Sequence, residues 1–415
     1  MRYIYKQIIL NSLEGPSLGT KNLAARMSQF EASASATISA HVAQLRREGK
    51  KIISLNVGEP DFTSPDYIRM AAVAAIADGF TKYTPTNGIL ELRTAIADKL
   101  KKDNGLDYAP DQITVCNGAK QAIAQALMVV CDPGDEVLIP VPCWVSYTEM
   151  VKLAGAKPVL VPCTADYDLD LERIAAAVTP RTKAIVINTP NNPTGAVYSE
   201  ATLRALGELA VKHDFFIIVD EIYEKLIYDG CRHFSIASAS DEVKDRTITI
   251  NGFSKAYAMT GWRVGYAAGR TNVIKGITKY QTQVTSSINS IAQKAAAAAL
   301  LGPQHDLEQM VEVFRQRRDY VYGRLNAMPG ITCPQPHGAF YMLPDVSAYF
   351  GKSCGGKRIE NAVDFTACLL EKALVSVVPG EAYFINGKVR VSYSNSMENL
   401  KAALDAVESV LAQMR

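Results

Sequence analysis

The sequence predicts an α/β protein with a mostly parallel, doubly wound sheet and a smaller α+β domain formed from both chain ends. Short apolar runs alternate with helical patterns from about residue 70 to residue 270, and this order is typical of parallel strands joined by helical crossovers. Several runs are continuous stretches of Val and Ile, which indicates strands covered on both faces. The two ends of the chain do not continue the alternation.

The alternating region supplies the strands of the large sheet. Seven are predicted, at Ile113–Cys116, Glu136–Ile139, Pro158–Val161, Ala184–Asn188, Phe216–Asp220, Thr247–Asn251 and Val264–Ala268. Helical patterns such as Lys120–Val130 and Ala201–His213 lie between them. We therefore expect a large domain over residues 68–302.

The chain ends predict the smaller domain, from residues 25–67 and 303–415. Residues 33–50 form an amphipathic pattern, and a polar-rich helical pattern from Gln304 to about Met328 is long enough to join two domains. Later segments predict two strands and two helices, at Ala339–Leu343, Lys388–Ser394, Asn361–Lys372 and Ser396–Met414. Residues 1–24 are expected to be a leader or arm.

Composition excludes several classes of function. The 415 residues carry 44 Lys+Arg against 42 Asp+Glu, a net charge of +2, so we expect no broad basic face for nucleic acid. No apolar run approaches the roughly 20 residues that span a bilayer. Because the first 20 residues also lack the long apolar core of a secretory signal, the expected location is cytoplasmic.

The cysteines and histidines predict neither disulfides nor a metal site. The eight cysteines are never within four positions of each other, and a chain of this size builds its own core without disulfides. We expect them to be mostly buried, reduced thiols. The five histidines (His41, His213, His233, His305 and His337) show no metal-ligand spacing.

Polar residues follow the predicted strands, at the edge where open parallel sheets bind ligands. Asn117-Gly118-Ala119-Lys120 opens a helix after the first strand, which suits either a phosphate site or a plain tight turn. Thr189–Gly195 holds paired Asn residues between two Pro, as a rigid amide-presenting loop or a capped turn. Asp220, with Tyr223 nearby, is either a helix cap or a counter-charge for a buried cation.

Two further segments carry cations. Ser254, Lys255 and Arg263 follow another strand, and a Lys desolvated near a second cation becomes a nucleophilic amine because its pKa falls. In Val389–Ser394, Arg390 alternates with apolar residues. It lies either on an outward polar face or in a cleft, where its guanidinium can pair with a carboxylate.

Taken in this order, the motifs resemble those of the class I pyridoxal-phosphate-dependent aminotransferases of fold type I, and within them the bacterial-type aspartate aminotransferase subgroup. The resemblance runs from about Ser35 to Ser396. The motifs that carry it are LNVGEPDF, TKYTPTNGILELR, NGAKQA, PCWVSY, NTPNNPTG, VDEIYE, SKAYAMTGWRVGY, GAFYML, VVPG and VRVSYS.

The resemblance implies a role for each matched residue. Lys255 would hold pyridoxal 5'-phosphate covalently and later act as acid and base, Asp220 would pair with its ring nitrogen, and Trp144 would stack on the ring. The remaining cofactor contacts would be Tyr223 and Asn192 at the phenolic oxygen; Ala119, Lys120, Ser254 and Arg263 at the phosphate; and Tyr83 at the phosphate of the neighbouring subunit in a homodimer with shared sites.

The substrates implied are amino acids and 2-oxo acids. Gly58 and Arg390 would bind the α-carboxylate, together with Trp144 and Asn192 in the substrate pocket. Lys120 would bind the distal carboxylate of aspartate or glutamate, with Thr37 nearby. The expected reaction moves an amino group between L-aspartate or L-glutamate and 2-oxoglutarate or oxaloacetate.

The chain departs from the family pattern at two places. Cys143 stands where a Tyr usually precedes the stacking Trp, which predicts a more open pocket wall. Ser33 and Ala34 replace a Lys-Pro that some prephenate-using members carry, which lowers the expectation of prephenate activity.

Other functions remain compatible with these motifs. One alternative is an aminotransferase for aromatic amino acids, alanine or prephenate, since pocket details decide specificity. Another is a pyridoxal-phosphate-dependent carbon–sulfur lyase or aminocyclopropane carboxylate synthase on the same fold. A third, a non-enzymatic regulator, would need a DNA-binding segment, for which the roughly 30 residues before the first helix are too few.

Overall fold

The computed structural model describes residues 23–31 and 34–414. The predicted leader at residues 1–24 lies outside them except for its last two residues, and so does Ser33. Among the described residues, the helices lack the length and apolar character needed to cross a membrane.

The strands are β1 Ile53–Ser54, β2 Ile113–Cys116, β3 Glu136–Val141, β4 Lys157–Pro162, β5 Thr182–Asn188, β6 Phe216–Asp220, β7 Thr247–Gly252, β8 Gly265–Ala268, β9 Tyr341–Met342, β10 Ser353–Cys354, β11 Lys357–Arg358, β12 Val375–Ser376, β13 Val378–Pro379 and β14 Val389–Ser392. The α-helices are α1 Ala34–Arg47, α2 Asp66–Ala77, α3 Leu90–Asn104, α4 Gly118–Val130, α5 Ser146–Leu153, α6 Leu171–Ala177, α7 Glu200–His213, α8 Asp241–Arg246, α9 Thr271–Val284, α10 Ser290–Leu301, α11 His305–Ala327, α12 Ala362–Cys368 and α13 Met397–Ala412. A π-helical turn, Leu369–Ala373, follows α12.

The predicted seven-stranded sheet is confirmed, in the order β2-β8-β7-β6-β5-β3-β4. Only β8 runs against its neighbours β2 and β7, and the other pairs are parallel. The carboxyl ends of the remaining six strands therefore share one edge. The loops after these strands carry the polar motifs singled out above.

Helices cover both faces of this sheet, which explains the continuous apolar runs. On one face Val186, Ile218 and Ile250 pack in a buried cluster with residues of α4. On the other, Ile187 and Val219 pack in a cluster with Leu203 and residues of α6 and α8. Because adjacent residues of one strand enter different cores, each position must be apolar.

A second, smaller set of strands comes from both chain ends, as predicted. β14 lies between β13 and β9 in an antiparallel sheet, and β1 pairs in parallel with β12. The predicted joining helix is α11, which is salt-bridged to Asp61 through Arg317 and to Asp229 through Arg318. The exact domain boundaries stay a prediction.

The expectation that the cysteines are reduced thiols is wrong for one pair. Cys354 and Cys368 form a disulfide whose Cα atoms are 6.4 Å apart, joining the hairpin β10–β11 to the end of α12. Their separation of 14 residues matches no recognisable spacing, and only the fold brings them together. The other six cysteines are free.

Candidate active site

A cavity of about 460 Å³ opens at the carboxyl-terminal edge of the large sheet and reaches the smaller domain. Eleven of the residues proposed from sequence line it: Gly58, Ala119, Lys120, Trp144, Asn192, Asp220, Tyr223, Ser254, Lys255, Arg263 and Arg390. Residues far apart in the chain meet here because parallel strands end at one edge.

Asp220, the last residue of β6, is a buried carboxylate held by neutral donors. Its side chain is 3% exposed, and it accepts hydrogen bonds from the Tyr147 hydroxyl (2.8 Å) and the Ile222 amide (3.2 Å). Among the described residues, no salt bridge involves it. Burial raises the pKa of this carboxyl to about 6, although the hydrogen bonds oppose the effect. The site is therefore suited to a cationic partner.

Lys255 brings an amine into the same cavity. Its Nζ donates to the Gly58 carbonyl and lies 5.8 Å from the centre of the Tyr223 ring. Burial lowers the pKa of this ammonium to about 8; Glu59 opposes the shift and Arg390 adds to it. The neutral, nucleophilic amine is thus accessible close to neutral pH.

Arg390 lies in the cleft and not on an outward face. It is 3% exposed, and its guanidinium donates to Asn192 Oδ1 (3.0 Å) and to the Asn56 carbonyl (2.7 Å). Its Nε is buried without a hydrogen-bond partner among the described residues. Val389 and Val391, on the other side of β14, pack in the core, as the alternation predicts.

The start of α4 forms an open cradle of backbone amides. Gly118 has a φ of 79°, and a Cβ there would lie 2.6 Å from the Arg263 guanidinium. A Cβ on Gly265 would lie 2.4 Å from the Ala119 amide nitrogen. Arg263 itself donates to the Thr260 carbonyl (2.9 Å). Because helix N-termini present unpaired N–H groups, this cradle suits a phosphate, and Ser254 adds a hydroxyl to the lining.

The cavity wall beside the cradle holds Trp144 and Lys120. Lys120 Nζ lies 4.8 Å from the centre of the Trp144 ring, and Trp144 packs edge-to-face on Tyr147 at 5.4 Å. The pKa of Lys120 is lowered by partial burial and by the charge of Arg263. Cys143 is buried behind this wall, and its effect on pocket width stays a prediction.

Two of the proposed residues are not among those that line the cavity. Tyr83 is 94% exposed and lines a shallow surface depression with Ser287 and Asn289. Thr37 lies on α1, but Ala36 and Ser39 of that helix are the ones that line the cavity. The roles proposed for Tyr83 and Thr37 therefore stay predictions.

Sequence reasoning assigned no role to Tyr147, Tyr341 or Asn56, which also line the cavity. Tyr147 lies in the PCWVSY motif, three residues after Trp144, and this spacing on a helical turn is a signal that could have identified it. Tyr341 lies in GAFYML. Nothing in its local sequence distinguishes Tyr341 from a core residue.

A second cluster of titratable groups lies behind the site. Ligand atoms of Glu221, Glu224 and His233 lie within 4.8 Å of one another, so folding gives His233 acidic neighbours that its spacing in sequence did not suggest. Glu224 already contacts the Lys99 ammonium and accepts from Asn104 Nδ2 at 2.7 Å. Lys99 thus supplies a cation to Glu224, and Glu221 Oε1 accepts from the Ser235 hydroxyl at 2.6 Å. Glu221 Oε2 is buried without a hydrogen-bond partner among the described residues.

The cavity residues fit pyridoxal phosphate. The buried Asp220 carboxylate suits a protonated ring nitrogen, the cradle at Gly118 suits a phosphate, and the Lys255 amine suits a carbonyl carbon. The unpartnered Nε of Arg390 suits a carboxylate. Each group that the cofactor and an amino acid would need has a matching donor or acceptor.

Known proteins resemble this chain over nearly its whole length. The family model described as aminotransferase class I and II matches residues 50–407. The aspartate aminotransferase of Bacillus subtilis is 45% identical and covers 93% of this chain and 98% of its own. The aspartate aminotransferase structure from Rhizobium meliloti is 44% identical, with a TM-score of 0.92, over 94% of this chain and 99% of its own. That from Thermus thermophilus with maleate is 42% identical, with a TM-score of 0.89, over 94% and 100%.

Proposed function

Because the chain belongs to the class I and II aminotransferases, which use pyridoxal 5'-phosphate, we propose that it moves an amino group between L-aspartate or L-glutamate and 2-oxoglutarate or oxaloacetate. One observation carries the proposal. The Lys255 amine, the buried Asp220 carboxylate and the Arg390 guanidinium all line one cavity, which is the set of groups that transamination of an amino acid needs.

Bound pyridoxal phosphate supplies an electron sink that accepts the electron pair of the substrate's Cα–H bond. Lys255 would hold the cofactor and then move the proton taken from Cα, a task that its lowered pKa favours. Asp220 would keep the ring nitrogen protonated, with the Tyr147 hydroxyl and the Ile222 amide fixing its two oxygens. Tyr223 and Asn192 would bind the phenolic oxygen.

The substrate's α-carboxylate would lie between Arg390 and the Gly58 backbone, and Trp144 and Asn192 would form walls of the substrate pocket. Lys120 is positioned to meet a second carboxylate, because its ammonium projects from the first turn of α4 above Trp144. The Thermus relative was solved with maleate, a dicarboxylate. These features favour aspartate and glutamate over alanine and aromatic amino acids. Thr37 would contribute from the turn of α1 next to the cavity.

We further propose a cytoplasmic homodimer with shared active sites. Tyr83 is too exposed to serve a site in its own chain, which supports a role at the phosphate of a neighbouring subunit. Large apolar side chains are also exposed on α2 and at the starts or ends of α3 and α10, namely Met70, Val73, Ile76, Leu90 and Leu301. Such a surface favours burial against a second copy.

The test is a single-turnover spectrum of the purified protein with L-aspartate, L-alanine or L-tyrosine and no 2-oxo acid. We expect the absorption band of the bound cofactor to convert to that of its aminated form fastest with aspartate. Conversion with alanine or tyrosine but not with aspartate would contradict aspartate as the substrate and would still support transamination. A cofactor band that persists with every amino acid would contradict transamination and favour a lyase.

A further inference from the structure

Tyr341 occupies the junction between the residues proposed for the cofactor ring and those proposed for the substrate carboxylate. It is the first residue of β9 and pairs with Ser392 of β14. Because Arg390 is two residues from Ser392 on the same strand, Tyr341 and Arg390 are diagonal neighbours on one face of the sheet. Only 1% of its surface is exposed, yet its side chain lines the cavity. Its side chain is therefore held by close packing and also borders the cavity.

The Tyr341 hydroxyl is hydrogen-bonded to the Tyr223 hydroxyl at 2.9 Å, and their rings pack edge-to-face at 5.8 Å. A hydroxyl has one proton to donate. If Tyr223 donates its proton to the cofactor's phenolic oxygen, it must accept the one from Tyr341. Accepting that bond makes the Tyr223 hydroxyl a stronger donor, because hydrogen bonds in a chain polarise one another.

The Tyr341 ring supports the guanidinium of Arg390. The Arg390 Cζ atom lies 4.4 Å from the centre of the Tyr341 ring and 5.1 Å from the centre of the Tyr383 ring. Arginine held against an aromatic face gains a cation–π attraction and loses freedom to tilt. Its two Nη atoms also donate hydrogen bonds to Asn192 and Asn56. These contacts hold the guanidinium in a single orientation for binding a carboxylate.

Gly58 closes this arrangement from the opposite side. A Cβ on Gly58 would lie 2.8 Å from the Tyr341 hydroxyl oxygen, so the backbone proposed to bind the substrate carboxylate lies directly against this hydroxyl. The Gly58 carbonyl also accepts from Lys255. Tyr341 thus contacts three of the elements that the reaction would use.

We propose that Tyr341 is a positioning residue for transamination: its hydroxyl directs the Tyr223 proton to the cofactor, and its ring holds Arg390 in the plane that binds the substrate carboxylate. The inference rests on the proposed function. It divides into a hydroxyl contribution and a ring contribution, which two substitutions separate.

Tyr341→Phe tests the hydroxyl contribution in the cofactor-loaded enzyme. The readout is the pH midpoint of the bound cofactor's absorption band, which a phenolic hydrogen bond lowers. We expect the midpoint to rise by about half a unit or more, because the Tyr223 hydroxyl loses the bond that strengthens it. The KM for aspartate should stay within about twofold, since the ring is retained. Tyr383→Phe is the matched control, because it removes a buried hydroxyl from the second ring that contacts the same guanidinium.

Tyr341→Leu tests the ring contribution. We expect the dissociation constant for maleate, measured by titration of the loaded enzyme, to rise by about tenfold, whereas Tyr341→Phe leaves it within about twofold. Maleate is an unreactive dicarboxylate, so this measurement does not depend on turnover. Thermal unfolding of both variants verifies that they fold.

The outcomes separate this inference from the proposed function. A midpoint unchanged in Tyr341→Phe, or raised equally in Tyr383→Phe, would overturn the hydroxyl contribution. Unchanged maleate binding in Tyr341→Leu would overturn the ring contribution. Loss of the cofactor band, or of its response to aspartate, in the unaltered protein would instead contradict the proposed function.

Discussion

At the scale of single residues, the buried Asp220 carboxylate lowers the folding stability of the cofactor-free protein. A carboxylate at the end of a buried strand, bonded only to a hydroxyl and an amide, has a folded-state pKa near 6. The folded chain without cofactor therefore binds this proton more tightly than the unfolded chain does. By linkage, stability falls as pH rises from about 4 to about 6 and stays lower above that.

Asp220→Asn should remove this cost. We expect the cofactor-free variant to be more stable than the native protein at pH 8, by up to about 3 kcal/mol, and the two proteins to converge below about pH 4. Cofactor affinity should fall because the ring nitrogen loses its counter-charge. Denaturant unfolding at several pH values measures the first effect, with the exposed Asp166→Asn as a control. Equal stability of native and variant across pH would contradict the assignment.

Lys120 and Arg390 should separate the two ends of the substrate. Arg390→Leu should raise the KM for every amino acid by ten- to a hundredfold, because all of them share the α-carboxylate. Lys120→Ala should lower kcat/KM for aspartate about tenfold more than for alanine. Steady-state kinetics with both amino acids measures this. An equal effect of Lys120→Ala on aspartate and on alanine would show that Lys120 does not bind the distal carboxylate.

At the scale of elements, the sequence predicts most accurately the strands whose limits depend on the local residue pattern. The continuous runs that form β2, β5 and β6 stand within two residues of their predicted limits, since their two-sided burial is visible in the residues themselves. The short strand predicted over Ala339–Leu343 shrinks to two paired residues of β9. The helix predicted over Asn361–Lys372 changes to a π-helical turn after Cys368.

What the sequence could not predict depends on pairing between distant segments. Tyr341 acquires its place because β9 pairs with β14, which sets it opposite Ser392. Cys354 and Cys368 meet because the hairpin β10–β11 packs against the end of α12. By contrast, eleven of the proposed site residues converge on the cavity, because the order of motifs after parallel strands already fixes their shared edge.

The disulfide gives a direct prediction. A thiol reagent added to protein unfolded without reductant should titrate six thiols per chain, because the other two cysteines are bonded. Reduction before titration should raise the count to the eight cysteines of the sequence. Eight thiols without reduction would contradict the bond between Cys354 and Cys368.

The contact between β8 and the start of α4 gives another prediction. Gly265→Ala places a methyl group 2.4 Å from the Ala119 amide nitrogen and 2.6 Å from the Gly118 carbonyl carbon, and backbone atoms cannot move aside cheaply. We expect a loss of about 1–3 kcal/mol in unfolding free energy and weaker cofactor binding. Gly261→Ala is the matched control, since no atom lies within 4 Å of its added methyl. Equal effects of the two substitutions would show that the cradle tolerates a side chain.

At the scale of the whole molecule, the shared site of the proposed dimer can be tested by complementation. Lys255→Ala and Tyr83→Ala chains should each be inactive alone. Hybrids should contain one intact site, built from Lys255 of one chain and Tyr83 of the partner subunit. Random assembly should restore about a quarter of native activity. Light scattering should give about twice the mass of one chain. A monomer, or a mixture without restored activity, would contradict the shared site.

The pairing of β1 with β12 also orders events in time. Ile53 pairs with Val375, and the Asn56 carbonyl accepts a hydrogen bond from the guanidinium of Arg390. Both contacts can form only after the later segment has been synthesised. A ribosome adding about 5–20 residues per second needs roughly 15–60 s to travel between these segments. During that interval β1 has no strand partner. A polypeptide that ends between residues 255 and 390 contains Lys255 and Asp220 but lacks the Arg390 guanidinium proposed to bind the substrate carboxylate.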